Sequence, residues 1–223
     1  MTVSTFYPDG DPETTSVDGW TQHDENPPGS VWGTARDGAG VASLDTGVSA
    51  LVSIRSTTTT NQWRTFGHIF LLFDTSALGD ADIKDSATLE FVVISRIDNF
   101  SQSVALVTTT PASNTAIVNG DHLLMGTVDQ ATDVTLAGLT VDSATYNAMT
   151  LNATGLTNIS LTGITKFGLR LTADADNVEP TWGSNQDSQI DVALAEENLA
   201  GDKRPKLVVT HTSPPFVPTV IVF

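Results

Sequence analysis

Residues Leu71 to Val93 read LLFDTSALGDADIKDSATLEFVV, and this stretch decides the fold. An apolar run from Ile69 to Phe73 enters a polar turn at Asp74, Thr75 and Ser76. After a short acidic loop a second run, Ala87 to Ile97, alternates in character. Leu89, Phe91, Val93 and Ser95 fall on one face, and Glu90, Val92, Ile94 and Arg96 on the other. A strand, a turn set by Asp and Ser, and a partnered strand are how an antiparallel sandwich begins. The segment carries structure and no recognisable chemistry.

The same signals recur along the chain, where Thr, Val, Ser, Leu and Ile runs are punctuated by Gly, Asn and Asp. They predict strands at Thr2–Phe6, Ala50–Ser56, His68–Phe73, Thr88–Ile97, Ser103–Thr109, Ala148–Asn152, Lys166–Thr172, Gln189–Leu194 and Lys206–His211. Further strands are expected at Val31–Arg36 and Val134–Leu136, and short helical turns at Asn114–Asn119 and Ser143–Ala148. Gly168, inside a strand, signals a bulge or a close backbone neighbour. No repeat of fixed period is evident. The expected fold is all-β: a jelly-roll-type antiparallel β-sandwich with short helical turns and a C-terminal extended arm.

Composition limits the function. The 223 residues suit one large β domain. Ten Lys and Arg against 26 Asp and Glu give a net charge of −16. Such a surface repels phosphate backbones and anionic membranes, so neither nucleic-acid binding nor membrane insertion is expected. The excess is mostly Asp, with only four Lys, a pattern that fits hydration in high salt as well as ordinary solubility. Without cysteine there are no disulfides, thiolate metal sites or thiol nucleophiles. MTVSTFYPDGDPE shows no signal peptide, and no apolar run approaches the roughly 20 residues that span a bilayer.

Several segments carry a resemblance. "FDTSAL", "SATL" and the closing "RPKLVVTHT" (Arg204 to Thr212) resemble the DNRLRE-type, carbohydrate-binding-module-like β-sandwich domains. FYPDGDPETTSVDGW (Phe6 to Trp20), PASNTAIVNGDH (Pro111 to His122), YNAMTLNATGLTNISLTGITKFGLR (Tyr146 to Arg170) and PTWGSN (Pro180 to Asn185) look closest to the branch found in tailed-virus structural proteins. Together these pieces cover most of residues 1 to 212. They are turn and core residues, so they imply a fold and a context rather than an active site. The resemblance implies a sandwich over residues 1–212 and an added arm over 213–223. It further implies a non-enzymatic virion component (head decoration, turret or fibre), made in the host cytoplasm and displayed on the particle surface. Its partners would be capsid or tail proteins and copies of itself, with a trimer expected.

The arm, TSPPFVPTVIVF, combines three prolines with Phe216, Val220, Ile221, Val222 and Phe223. Proline pre-orders an extended segment, and an uncovered Val-Ile-Val-Phe end is an aggregation hazard. Such a segment packs on its own sandwich or, as the reading favoured here, adds to a neighbour.

Candidate chemistry is sparse. His23, His68, His122 and His211 lack ligand-like spacing, and no GxSxG elbow is present. Nothing in the sequence supports catalysis, so a lyase or hydrolase reading fails for want of a constellation. Hard oxygen ligands cluster in two loops: Asp9 and Asp11 with Glu13 and Asp18, then Asp174 and Asp176 with Asn177 and Glu179. They are candidate ligands for the structural calcium that such sandwich domains often hold. Trp20, Trp32, Trp63 and Trp182 are expected in loops or at strand ends. They would supply a stacking face for a host glycan in the alternative reading, a carbohydrate-binding module or receptor-binding adhesive domain. A buried Trp with its N–H satisfied is the commoner arrangement.

Overall fold

The computed structural model describes residues 1–26, 28–197, 199 and 201–214. The arm positions Phe216, Val220, Ile221, Val222 and Phe223 lie outside the described residues. The chain opens with β1 (Thr2–Phe6), β2 (Asp18–Asp24) and a short helix α1 (Trp32–Arg36). Then come β3 (Ala42–Leu44), β4 (Ser49–Ser56), β5 (Trp63–Asp74) and β6 (Ile83–Asp98). β7 (Ser103–Thr108) and β8 (Val134–Thr135) precede β9 (Tyr146–Thr150) and α2 (Ala153–Thr157). β10 (Ile164–Leu171), α3 (Thr172–Ala175), β11 (Asp187–Ala193) and β12 (Lys206–Thr212) complete the fold. Every ladder between these strands is antiparallel, and the fold is of the expected all-β sandwich type.

The core is enclosed by a fork in the sheet. β2 runs along β5 from Thr65 to Leu71 without a break. β4 pairs with Trp63–Gly67, and β10 with Ile69–Asp74. Each overlaps β2, so β4 and β10 must share the edge of β5 that β2 does not use. Two sheet branches therefore leave one edge of β5, and the core fills the wedge between them. Opposite faces of one strand line the same core, which no simple alternation allows. Trp63 and Phe66 face it before the fork; Ile69, Leu71 and Phe73 face it afterwards. The other face of β5 after the fork, Phe70 and Leu72, packs on a second cluster with Val17, Val107, Ile117 and Met125. This explains a run of eight buried residues, Phe66 to Phe73, in an antiparallel sheet.

β6 joins the sheets at the other side. Its first half lies between β12 and β9, and its second half pairs with β11. Leu89, Phe91 and Val93 face the core as their alternation predicts. A bulge opposite Asp191 and Val192 then breaks the period before Ser95.

Gly168 proves to be a close-approach site. A Cβ there would stand 2.7 Å from the Ile69 carbonyl oxygen and 2.4 Å from the Met125 methyl carbon. Gly168→Ala is therefore expected to cost about 1–3 kcal/mol through overpacking, read as a lower urea midpoint at an unchanged slope. A cost under about 0.5 kcal/mol would contradict that close packing.

Three local expectations are corrected. Val31–Arg36 is not a strand: Trp32 and Ala35, three apart, put one helical face of α1 against the core. Asn114–Asn119 is irregular, with a single 3-10 turn only at Asn119–Asp121. Ser143–Ala148 is a turn running into β9. Asp142 Oδ1 takes the Ala144 and Thr145 amides at 2.8 and 2.5 Å, and pairing with β6 begins at Tyr146. β2 was not expected at all.

Candidate functional site

The long strands separate two poles. β5 starts at Trp63 and β6 ends at Asp98 at one pole; β5 ends and β6 begins at the other. At about 3.3 Å per residue, the sixteen residues of β6 put roughly 50 Å between them.

The first pole is built from loops around the aromatic residues. Trp63 is fully buried and Trp32 is 6% exposed; their rings meet edge to face at 5.0 Å. Trp63 Nε1 donates to Glu179 at 2.7 Å and Trp32 Nε1 to Asn177 at 3.0 Å. These two are core anchors, unable to stack on a sugar. Trp182 is half-buried beside them and donates to the Gln62 carbonyl at 3.3 Å. Trp20 lies in β2, paired with Ile69 and Leu44, well away from the other three. The four tryptophans therefore share no platform. The pole does carry a cleft of about 450 Å³ lined by Asn99, Phe100, Ser101, Gln102, Asp176 and Thr181. Thr181 also borders a depression holding Asn61, Glu179 and Trp182. Asn61, Ser101, Asn177 and Asn185, all left-handed with φ of 52–55°, shape these loops.

The second pole gathers the first and last strands. β1 pairs with β12, Thr2 opposite His211, and is the outermost strand of the order. His211 Nε2 lies 3.0 Å from Ser4 Oγ, and the Asp82 carboxylate 2.6 Å from Nδ1, close but poorly aligned for a hydrogen bond. Hydrogen bonds from Ser213 and from the Gly79 amide hold the Asp82 carboxyl below the usual range. Ser, His and Asp thus stand in hydrolase order. Yet Ser4 sits within a regular ladder opposite Val209, not on the sharp strand-to-helix turn that presents a nucleophile. The arrangement fastens the chain ends. Met1, Val3 and Ile83 stand exposed around it, at 88%, 63% and 60%.

Among the described residues no group of three or more His, Asp or Glu is arranged to hold a metal. Burial alone would raise the Asp9 carboxyl, but hydrogen bonds from Thr15, Thr14 and Ser16 hold it at about 2. Asp11 and Asp176 are exposed. Asp174 is spent on Arg170 and His68. Two members of the first loop converge with a distant glutamate: Asp18 Oδ1, Glu13 Oε1 and Glu196 Oε2 are each buried without a partner among the described residues. Burial, then the Glu196 charge, pushes the fully buried Asp18 carboxyl well up. A raised acid stabilises the fold below its folded value and loses that contribution as pH rises through it. Asp18→Asn keeps an acceptor for the Ala195 amide and offers N–H donors to the orphan oxygens. It is expected to raise the melting temperature at pH 8 by about 2–4 °C. A fall would instead mean that the Asp18 carboxyl is not raised in the fold.

The densest polar cluster lies mid-molecule, where β5, β10 and α3 meet. Asp174, from α3, accepts Arg170 Nε at 2.8 Å and Nη2 at 2.7 Å, and faces His68 Nε2 at 2.7 Å. Arg36 Nε donates to the Asp174 carbonyl at 2.8 Å. Burial would raise the Asp174 carboxyl, but the charges and hydrogen bonds of His68 and Arg170 hold it far below the usual range. His122 stacks on His68 at 4.2 Å and takes Thr21 Oγ1 at 2.9 Å. Burial, then His68, pushes its ring down to about 2, so it is neutral.

No family model matches the chain, and no curated protein matches it. Spacing gave no sign of this cluster: His68 stands 54 residues from His122 and 106 from Asp174. The pairing of β5 with β10, which sets Ile69 against Leu169, brings His68 to Arg170 and Asp174.

Proposed function

We propose that the protein is a non-enzymatic structural component of a tailed-virus particle, a head decoration, turret or fibre element that assembles through its apolar ends. The sequence resemblance supplies the viral context. The observation that carries the reading is polarity. The first and last strands lie side by side at one pole, among exposed Met1, Val3 and Ile83, while the broad loops occupy the other. Attachment at the pole of β1 and β12 turns the loops outward. Among the described residues β1 ends the strand order, so its outer edge is a template for an added strand. A Val3→Lys, Ile83→Lys double variant tests this, because both sites are exposed and each change should alter stability by under about 0.5 kcal/mol. At least tenfold weaker self-association is expected by sedimentation, with the melting temperature held. Unchanged association would remove the pole from the assembly.

Glycan binding is the second reading, favoured by the cleft at the loop pole, where Phe100 and Asp176 stand among Asn99, Gln102 and Thr181. Polar groups around one aromatic ring suit a hydroxyl-rich ligand. The two readings are compatible in a particle that touches host sugar through its outer loops.

A further inference from the structure

We propose that the cavity beside His68 and His122 is a binding site for one small monovalent anion of chloride size. The cavity measures about 110 Å³, and its lining includes Arg36, Asp37, His68, His122, Met125 and Arg170. That volume holds an anion with a water or two.

Charge accounting supplies the first argument. His68 faces acceptors on both sides, the His122 carbonyl oxygen at 3.2 Å from Nδ1 and the Asp174 carboxylate at 2.7 Å from Nε2. Only a ring carrying protons on both nitrogens serves both. Arg36, His68 and Arg170 then bring three positive charges. Asp174 and Asp37, the latter 2.6 Å from Arg36 Nη1, bring two negative ones. His23 and Glu25, 3.3 Å apart, do not line the cavity. One positive charge remains in a buried setting, where an unbalanced charge is costly.

The second argument is an orphan donor. His122 is fully buried, and its Nε2 has no hydrogen-bond partner among the described residues. The Thr21 hydroxyl pairs with Nδ1, and in the tautomer in which that hydroxyl donates, the ring proton sits on Nε2 and lacks an acceptor. An anion in the cavity accepts from that N–H and balances the excess charge together. In a chain of net charge −16 an internal anion is not drawn by the global field, so the site depends on these local groups.

Chloride-35 NMR on the full chain tests the site. Linewidth above that of buffer is expected for the native protein, removed by added bromide. His122→Phe, which keeps the stack on His68, should lose most of the broadening. Melting in sodium chloride against sodium gluconate at equal ionic strength separates binding from screening. A chloride-specific rise of about 2 °C is expected in the native protein only. Should His122→Phe fail to fold, crystals of the native protein grown in bromide decide the matter by anomalous scattering in the cavity. No excess linewidth, equal broadening in a folded His122→Phe, or no bromide peak would each mean that the cavity holds water only.

Discussion

Asp174→Ala is expected to lower stability by about 3–5 kcal/mol, the largest loss for any single polar substitution in this protein. The carboxylate is 2% exposed and is the one buried negative charge among Arg170, His68 and Arg36. Its deletion leaves these cations facing one another in a low-dielectric interior, with the guanidinium of Arg170 stripped of both its short contacts. Removing one partner of a buried pair costs far more than the pair contributes as a whole. The urea midpoint at pH 7 should fall by more than about 1 M at constant slope. Asp174→Asn, which keeps one acceptor oxygen but no charge, should fall between. A loss below about 1 kcal/mol for the alanine variant would show that the cations are not desolvated as described.

Acidification gives the second large effect. His122 is held neutral, its ring at about 2 in the folded protein against about 6.5 in an unfolded chain. A depressed base binds its proton more readily unfolded, so stability is lost as pH falls below about 6.5. The slope is about 1.4 kcal/mol per pH unit. Asp174, whose carboxyl is also depressed, adds its loss only below about pH 4, where unfolded carboxylates take up protons. Asp18 runs the other way, since its raised carboxyl favours the fold as pH falls. Between pH 6 and 5 the raised carboxyls of Asp18 and of Asp133, the latter pushed by burial to about 6, oppose the histidine and flatten the native profile. Urea titrations at pH 7, 6 and 5 should show His122→Gln gaining stability on the native protein as pH falls. A constant gap between the two would show that the His122 ring is not held neutral.

The fold was legible where burial is one-sided and the period is plain. Leu89, Phe91 and Val93 face the core as their alternation says, and the strands through Thr2–Phe6 and Lys206–Thr212 are where their β-branched runs place them. Legibility failed where tertiary contacts replace local preference. β2 reads Asp-Gly-Trp-Thr-Gln-His-Asp and looks like an acidic loop, yet it is sealed between β3 and β5. Val31 to Arg36 carries a strand-like composition, but Trp32 must reach Trp63 and Phe66, and one turn of helix puts it there. The fork at β5 was invisible, because a run buried on both faces looks the same for one core or two.

The same holds for the sites. Asp174 was read as a calcium ligand from its neighbours in sequence; its neighbours in space are cations. Glu196, which completes the trio with Asp18 and Glu13, stands 185 residues from the Asp11 amide it accepts. Burial with the N–H satisfied, the commoner arrangement for a Trp, holds for Trp32 and Trp63, each of which places its N–H on a side chain of the loop pole.

The mass in solution of the full chain, beside a chain ending at Thr212, tests the structural role most directly. Light scattering at low and high salt should give a defined oligomer, a trimer by expectation, for the full chain and a folded monomer for the shorter one. The same monomer for both would contradict assembly through the arm and leave glycan binding at the loop pole as the function to pursue.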